Sequence, residues 1–219
     1  MSNKDYKLAT NLVRGAQIRS ENNETSEALY MTSGFVYSSA EQAAAAFRNE
    51  NDAFVYSRYG NPTVKMFEQR LALLEGAEAC RATGTGMAAV FAAMACQLES
   101  GDRVIASRAL FGACHAILTK IFPKWGINAE LIDGTDMAAW EQALQTPAKL
   151  VFLESPSNPV LELVDIAAVA KLAHAAGAQV LVDNVFASPI YQRPLELGAD
   201  VVIYSATKHI DGQGRLLGG

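Results

Sequence analysis

The sequence predicts an α/β protein in which a mostly parallel sheet lies between helices. Three observations carry this. Val104-Ile105-Ala106, Leu150-Val151-Phe152-Leu153, Val180-Leu181-Val182 and Val201-Val202-Ile203-Tyr204 are short apolar runs, the composition of strands buried on both faces. Stretches with helix-start signals separate them, so strand and helix alternate as in βα units. Several runs also end abruptly in polar residues, as in Asp183-Asn184 and Ser205-Ala206-Thr207-Lys208. In an open α/β sheet ligands bind beyond the carboxyl ends of the strands, which is where those residues fall.

Residues 1–38 read as polar and irregular, with Glu21-Asn22-Asn23-Glu24-Thr25 the most loop-like piece. Ser39 followed by Gln42 has the form of a capping box and opens a helix to about Asn49. Asn61 as N-cap with Pro62 at the first helical position starts the next helix. It carries Val64, Phe67, Leu71 and Leu74 on one face and stops near Gly76. Thr83-Gly84-Thr85-Gly86-Met87 runs into an alanine-rich helix, whose unpaired N–H groups and positive end favour a phosphate. Arg103–Ala106 is a strand, Leu110-Phe111-Gly112 opens a helix to about Phe122, and Ile127–Ile132 is a strand. Asp136 or Thr135 caps a helix containing Trp140 and Leu144. The strand from Leu150 ends in Glu154-Ser155-Pro156-Ser157-Asn158-Pro159, too rich in proline for regular structure. Asp165 caps a helix that ends at Gly177.

With 219 residues, half of them hydrophobic and 19% charged, the chain can bury a substantial core. A net charge of −5 offers nothing to nucleic acid or an anionic membrane, so neither is an expected partner. No apolar run reaches a bilayer-spanning length. The N-terminus, Met-Ser-Asn-Lys-Asp-Tyr-Lys, lacks the apolar core of a secretory signal. Cys80, Cys96 and Cys114 are an odd count without metal-ligand spacing, which fits reduced thiols of a cytoplasmic protein and no metal site. Cys114 reads as a small packing residue.

The chemistry converges on Lys208. Gly86 and Met87, Asn158, Asp183, and Ser205 with Thr207 and Lys208 all fall at strand ends or helix starts on one edge of the predicted sheet. Pyridoxal phosphate needs that combination: a lysine to condense with its aldehyde, a phosphate cup at a helix N-terminus, and a carboxylate on its ring nitrogen. Asp183 stands 25 positions before Lys208, which suits one crossover between two strands. A carboxylate there keeps the ring nitrogen protonated. Asn158 offers a hydrogen bond to the cofactor or braces its own Asn-Pro turn, and Phe111 offers a ring to stack on a flat cofactor. Arg58 between Tyr56 and Tyr59 has the chemistry of an anion site, and equally that of a packing anchor.

Tyr56-Ser57-Arg58-Tyr59-Gly60-Asn61-Pro62-Thr63, Gly86-Met87, Glu154-Ser155-Pro156-Ser157-Asn158-Pro159, Val182-Asp183-Asn184 and Ser205-Ala206-Thr207-Lys208 together resemble the cysteine/methionine-metabolism family of pyridoxal-phosphate enzymes. Lys208–Arg215 and Leu29–Phe35 are most similar to members that exchange the succinyl group of O-succinylhomoserine for sulfide. The resemblance implies the aspartate-aminotransferase-like fold (fold type I), with a seven-stranded-type sheet. It implies γ-replacement giving homocysteine and succinate, in methionine biosynthesis. It implies a homotetramer, a dimer of dimers with shared active sites, in which Tyr56 and Arg58 reach the cofactor phosphate of the neighbouring subunit. Gly86, Met87, Ser205 and Thr207 hold the phosphate of their own. Residues 1–60 are then an N-terminal extension contacting the neighbour, and 61–219 the cofactor-binding domain.

Two departures stand out. Phe111 replaces a tyrosine common in the family, which keeps the stacking and removes a phenol, leaving Lys208 and Tyr56 as acid–base groups. The family's chain is also nearly twice as long, so the sequence reads as truncated before the last sheet strand and the C-terminal domain that carries the arginine for the substrate's α-carboxylate. Other readings are a cystathionine γ-synthase or γ-lyase, and a truncated non-catalytic chain. A nicotinamide-dependent dehydrogenase would rest on Gly84-Thr85-Gly86-Met87-Ala88-Ala89, which wants an apolar strand just before it, and Glu78-Ala79-Cys80-Arg81-Ala82 is a poor one.

Overall fold

The computed structural model describes residues 6–219. Met1–Asp5, part of the stretch read above as lacking a secretory signal, lie outside the described residues. The chain forms two compact units, the first ending at Ala82 and the second running Thr83–Gly219.

In the first unit, α1 (Leu8–Arg14), α2 (Ala40–Phe47) and α3 (Pro62–Glu75) are joined by irregular segments. The sequence had suggested no helix before Ser39. Helix α1 has no side-chain cap, and it lies against α3, where a Cβ on Gly15 would come within 2.9 Å of Leu73. Arg70 of α3 ties the irregular segment down, donating through Nε to Gly15 O at 2.8 Å and pairing with Glu27. Ser39 caps α2 by accepting from Gln42 N at 3.1 Å. Gln42 Oε1 in return accepts from Ser38 N at 2.6 Å, one residue earlier than in a capping box. Asn61 caps α3 through Thr63 N at 2.9 Å, and the helix ends at Gly76 in the left-handed region (φ 69°). Its buried apolar residues are Pro62, Met66 and Leu74, whereas Val64 is exposed. The buried stripe is therefore displaced from the one read off the sequence.

In the second unit, α4 (Gly86–Ala95) precedes β1 (Arg103–Ser107), and the chain then alternates through α5 (Gly112–Ala116), β2 (Asn128–Ile132), α6 (Met137–Ala143), β3 (Leu150–Glu154), α7 (Ile166–Ala175), β4 (Gln179–Asp183) and β5 (Val201–Ile203). The described sheet has five strands in the order β2-β1-β3-β4-β5, every pairing parallel. Successive strand residues face opposite sides. Val151, Leu153, Val180 and Val182 pack with Trp140 and the α7 residues Val169, Ala170 and Ala173. Leu150, Phe152, Leu181 and Ile203 pack on the other side with Val90 and Met94 of α4 and Cys114 of α5. Covering helices on both faces let a parallel sheet read as continuous apolar runs.

The helix expected from Gly112 to Phe122 is not continuous. After α5 the turns widen over Ile117–Ile121 and tighten to a 3-10 turn over Phe122–Trp125. Pro123 lacks an N–H and its ring crowds the carbonyl four residues back, so a regular α-helix cannot run through it. No strand precedes α4 among the described residues, so Gly84–Ala89 lacks the strand–turn–helix setting of a dinucleotide fingerprint. Among the described residues no helix is long and apolar enough to cross a membrane, and no cluster of His, Cys, Asp and Glu could hold a metal ion.

Candidate active site

Strand order reverses between β1 and β3, since the chain goes to β2 on one side and returns to β3 on the other. Beyond the carboxyl ends of such neighbouring strands an open sheet leaves a crevice. A cavity of about 280 Å³ occupies this edge. Its lining brings together Gly86, Met87, Phe111, Asn158, Asp183, Ser205, Thr207 and Lys208, residues that the sequence spreads over more than half the chain. Tyr56 and Arg58 belong to the first unit and are not part of this lining. There Arg58 lies 5.5 Å from the ring centroid of Tyr56 and 4.4 Å from that of Tyr59. The turn carrying them is held by Ser57 N to Ser33 O at 2.9 Å and by Asn61 Nδ2 to Tyr30 O at 2.9 Å.

One part of the lining suits an anion. Helix α4 starts at Gly86 with Thr85 as N-cap, whose Oγ1 accepts from Ala88 N at 3.0 Å. The free N–H groups of this first turn open beside Ser205. A Cβ on Gly86 would stand 2.6 Å from Ser205 Cβ and 2.8 Å from its Oγ, so only glycine lets the helix start approach that hydroxyl. Thr207 is reached across a tight turn in which Lys208 N donates to Ser205 O at 3.1 Å, and Thr207 Oγ1 also accepts from Gly218 N at 3.1 Å. Two hydroxyls and a helix N-terminus form a donor set for a phosphate monoester, with the exposed Lys208 amine beside it.

Another part is acidic. Asp183 closes β4 and Glu154 closes β3, in register as neighbours. Both are buried, at 6% and 5% exposure. Burial pushes the Asp183 carboxyl up to about 6, against the lowering effect of the Val185 N–H that it accepts at 3.1 Å. Burial, and then the Asp183 charge, push Glu154 up to about 7, while the N–H groups of Phe111 and Asn158 pull it down. A buried carboxylate kept short of cationic neighbours favours a ligand that brings a positive charge, as a protonated pyridine does. Donors for a phosphate, a carboxylate for a ring nitrogen, an exposed aromatic ring at Phe111 and a lysine amine are the groups pyridoxal phosphate requires, and the residues present fit it.

Glu154 was not assigned a role from the sequence. A charge closing a four-residue apolar strand run was a signal, the same one that marked Asp183. Thr85 was also missed, although a threonine before Gly86 and an alanine run is an ordinary N-cap signal. Cys114 lines the cavity but is buried, and burial followed by the Asp183 and Glu154 charges pushes its thiol up to about 12, so it stays protonated and packs as a small apolar residue.

The raised carboxyls predict a pH dependence in the cofactor-free protein. From about pH 4, where unfolded carboxyls titrate, to pH 6 or 7, the folded state binds more protons at these two positions than the unfolded state. Their contribution to stability is therefore greatest below pH 4 and falls as pH rises through that window. Asp183→Asn removes one of the two groups. Urea midpoints from pH 4 to 7 should decline less steeply for this variant than for wild type. An unchanged slope would refute the raised Asp183 carboxyl.

Residues 9–219 match the family described as Cys/Met metabolism PLP-dependent enzyme. The chain belongs to that family. Among its relatives, O-succinylhomoserine sulfhydrylase of Mycobacterium tuberculosis (strain CDC 1551 / Oshkosh) is 57% identical over 211 residues, 96% of this chain and 52% of that one. O-succinylhomoserine sulfhydrylase of Pseudomonas aeruginosa is 52% identical over 207 residues, 94% of this chain and 51% of that one. The chain thus spans about half the length of the curated relatives it matches. A Campylobacter jejuni crystal structure, described as an O-acetylhomoserine (thiol)-lyase and containing N'-pyridoxyl-lysine-5'-monophosphate, superposes with a TM-score of 0.91 at 30% identity, over 98% of this chain and 53% of the other. The family is fold type I, and its cofactor is pyridoxal phosphate, in keeping with the cavity's donor set.

Proposed function

We propose that this chain carries the cofactor site of an enzyme that replaces the succinyl group of O-succinylhomoserine by sulfide, giving homocysteine and succinate. The observation that carries the reading is the 57% identity with a sulfhydrylase of that name over 96% of the chain. When bound, pyridoxal phosphate supplies an aldehyde that captures amines and a ring that withdraws electron density from the substrate's Cα. Ser205, Thr207 and the N–H groups opening α4 hold the phosphate. Asp183 holds a proton on the ring nitrogen, Asn158 donates a hydrogen bond at the ring edge, Phe111 stacks on the ring, and Gly86 and Met87 belong to the α4 turn that holds the phosphate.

Lys208 is the anchoring amine and, once displaced by the substrate's amine, the base. Its Nζ would take the proton from Cα, deliver it to the cofactor's aldehyde-derived carbon and so be free to take one from the adjacent Cβ. The reverse transfers would return both after the new bond forms. The Cγ–O bond breaks, and its electron pair leaves with succinate. Sulfide supplies the pair for the Cγ–S bond, keeping one hydrogen on sulfur and losing the other as a proton. Tyr56 and Arg58 act on the cofactor of a neighbouring subunit, Arg58 as a phosphate contact and Tyr56 as a second acid–base group. The assembly is a tetramer of paired dimers.

The acceptor decides the reaction. The protein containing this chain, loaded with cofactor and given O-succinylhomoserine, should form homocysteine with sulfide at a kcat/KM at least about tenfold above that for cystathionine formation with cysteine, a preference of about 1.4 kcal/mol. Faster cystathionine formation, or 2-oxobutanoate release that sulfide does not suppress, would overturn the sulfhydrylase reading and leave the cofactor site standing.

A further inference from the structure

We propose that Glu154 is a positioning residue that hangs both ring-bounding loops, those of Phe111 and Asn158, from one carboxylate at the end of β3. The inference rests on the cofactor reading above. Glu154 Oε2 accepts from Phe111 N at 2.6 Å, and Oε1 accepts from Asn158 N at 2.9 Å. Phe111 stands at the N-terminus of α5, which has no side-chain cap of its own. Asn158 lies in the turn after β3, which carries cis bonds at Ser155–Pro156 and Asn158–Pro159. Neither segment belongs to a strand, and both line the cavity. A single side chain therefore sets how far apart two of its walls stand.

The residue type matters. Each oxygen of a carboxylate accepts, so Glu154 can receive two N–H groups from opposite sides. Glutamine offers one oxygen and one amide nitrogen, so one of the two backbone N–H groups would face another donor. A tie that served the fold alone would not call for a buried acid beside Asp183, where two carboxyls in register repel. Placement of the walls against a flat ligand does account for it.

The test uses the complete enzyme, with Glu154→Gln as the main variant. Borohydride should still place the pyridoxyl group on Lys208. The dissociation constant for pyridoxal phosphate should rise about tenfold, the cost of one buried donor left unpaired. The visible circular dichroism per bound cofactor should fall by about half, since that signal reports how firmly the ring is held, which a purely structural tie would not move. Glu154→Asp keeps the charge but withdraws it by one methylene from both amides, and should shift both readouts in the same direction if the Gln variant does not fold. Unchanged affinity and dichroism in whichever variant folds overturn the proposal, whatever happens to thermal stability. Failure of wild type to be labelled on Lys208 would instead overturn the cofactor reading.

Discussion

Replacing Lys208 by alanine should lower turnover by about 10⁴-fold, the upper range of what one acid–base group contributes, because in the proposed reaction the same amine anchors the cofactor and moves both protons. Lys208 is exposed, lines the cavity, and follows Ser205 and Thr207 at the end of β5, so no second lysine of the lining can replace it. Borohydride reduction and peptide mapping of wild type should put the pyridoxyl mass on Lys208. Label on Lys171 or Lys149 would end the assignment. The variant also tests the shared site. Lys208→Ala and Arg58→Ala chains, each inactive alone, are co-expressed in equal amounts. If Arg58 serves the neighbour, a mixed pair gathers both defects in one site and leaves the other intact. Activity should then recover to roughly a quarter of wild type under random pairing. No recovery, with mixed pairs shown by mass, would place Arg58 in its own subunit's site.

Asp183→Ala should cost about 10²- to 10³-fold in kcat, the usual loss when one preorganised electrostatic contact is removed. Cofactor should still bind through the phosphate donors and Lys208, so the labelling result should not change. What is lost, in the proposed reaction, is the negative charge that keeps the ring nitrogen protonated, and with it the pull on electrons at Cα. Asp183→Glu keeps the charge but lengthens the side chain inside a buried strand end, and should recover only part of the rate. Near-normal turnover in Asp183→Ala would remove the ring-nitrogen role while leaving the cavity and its lysine intact.

Local chemistry made much of this protein legible from the chain. Asn61 before Pro62 and Asp165 before Ile166 are caps whose side chains accept helix N–H groups, so those helices start where the residues say. The apolar runs ending in Asp183 and Lys208 marked strands and the polar edge beyond them. Resemblance in the motifs extended this to the family. Three matters were settled only by long-range packing. Helix α1 lacks a cap and forms against α3. The helix after Phe111 has to break at Pro123, which the sequence shows, but that it does so by widening over Ile117–Ile121 and tightening over Phe122–Trp125 does not follow from side-chain periodicity. The pairing of β3 with β4 sets Glu154 beside Asp183, and the loops they face complete the double hydrogen bond. Strand order and register depend on which faces the covering helices bury, and that sum of weak contacts over distant segments is absent from any single stretch of sequence.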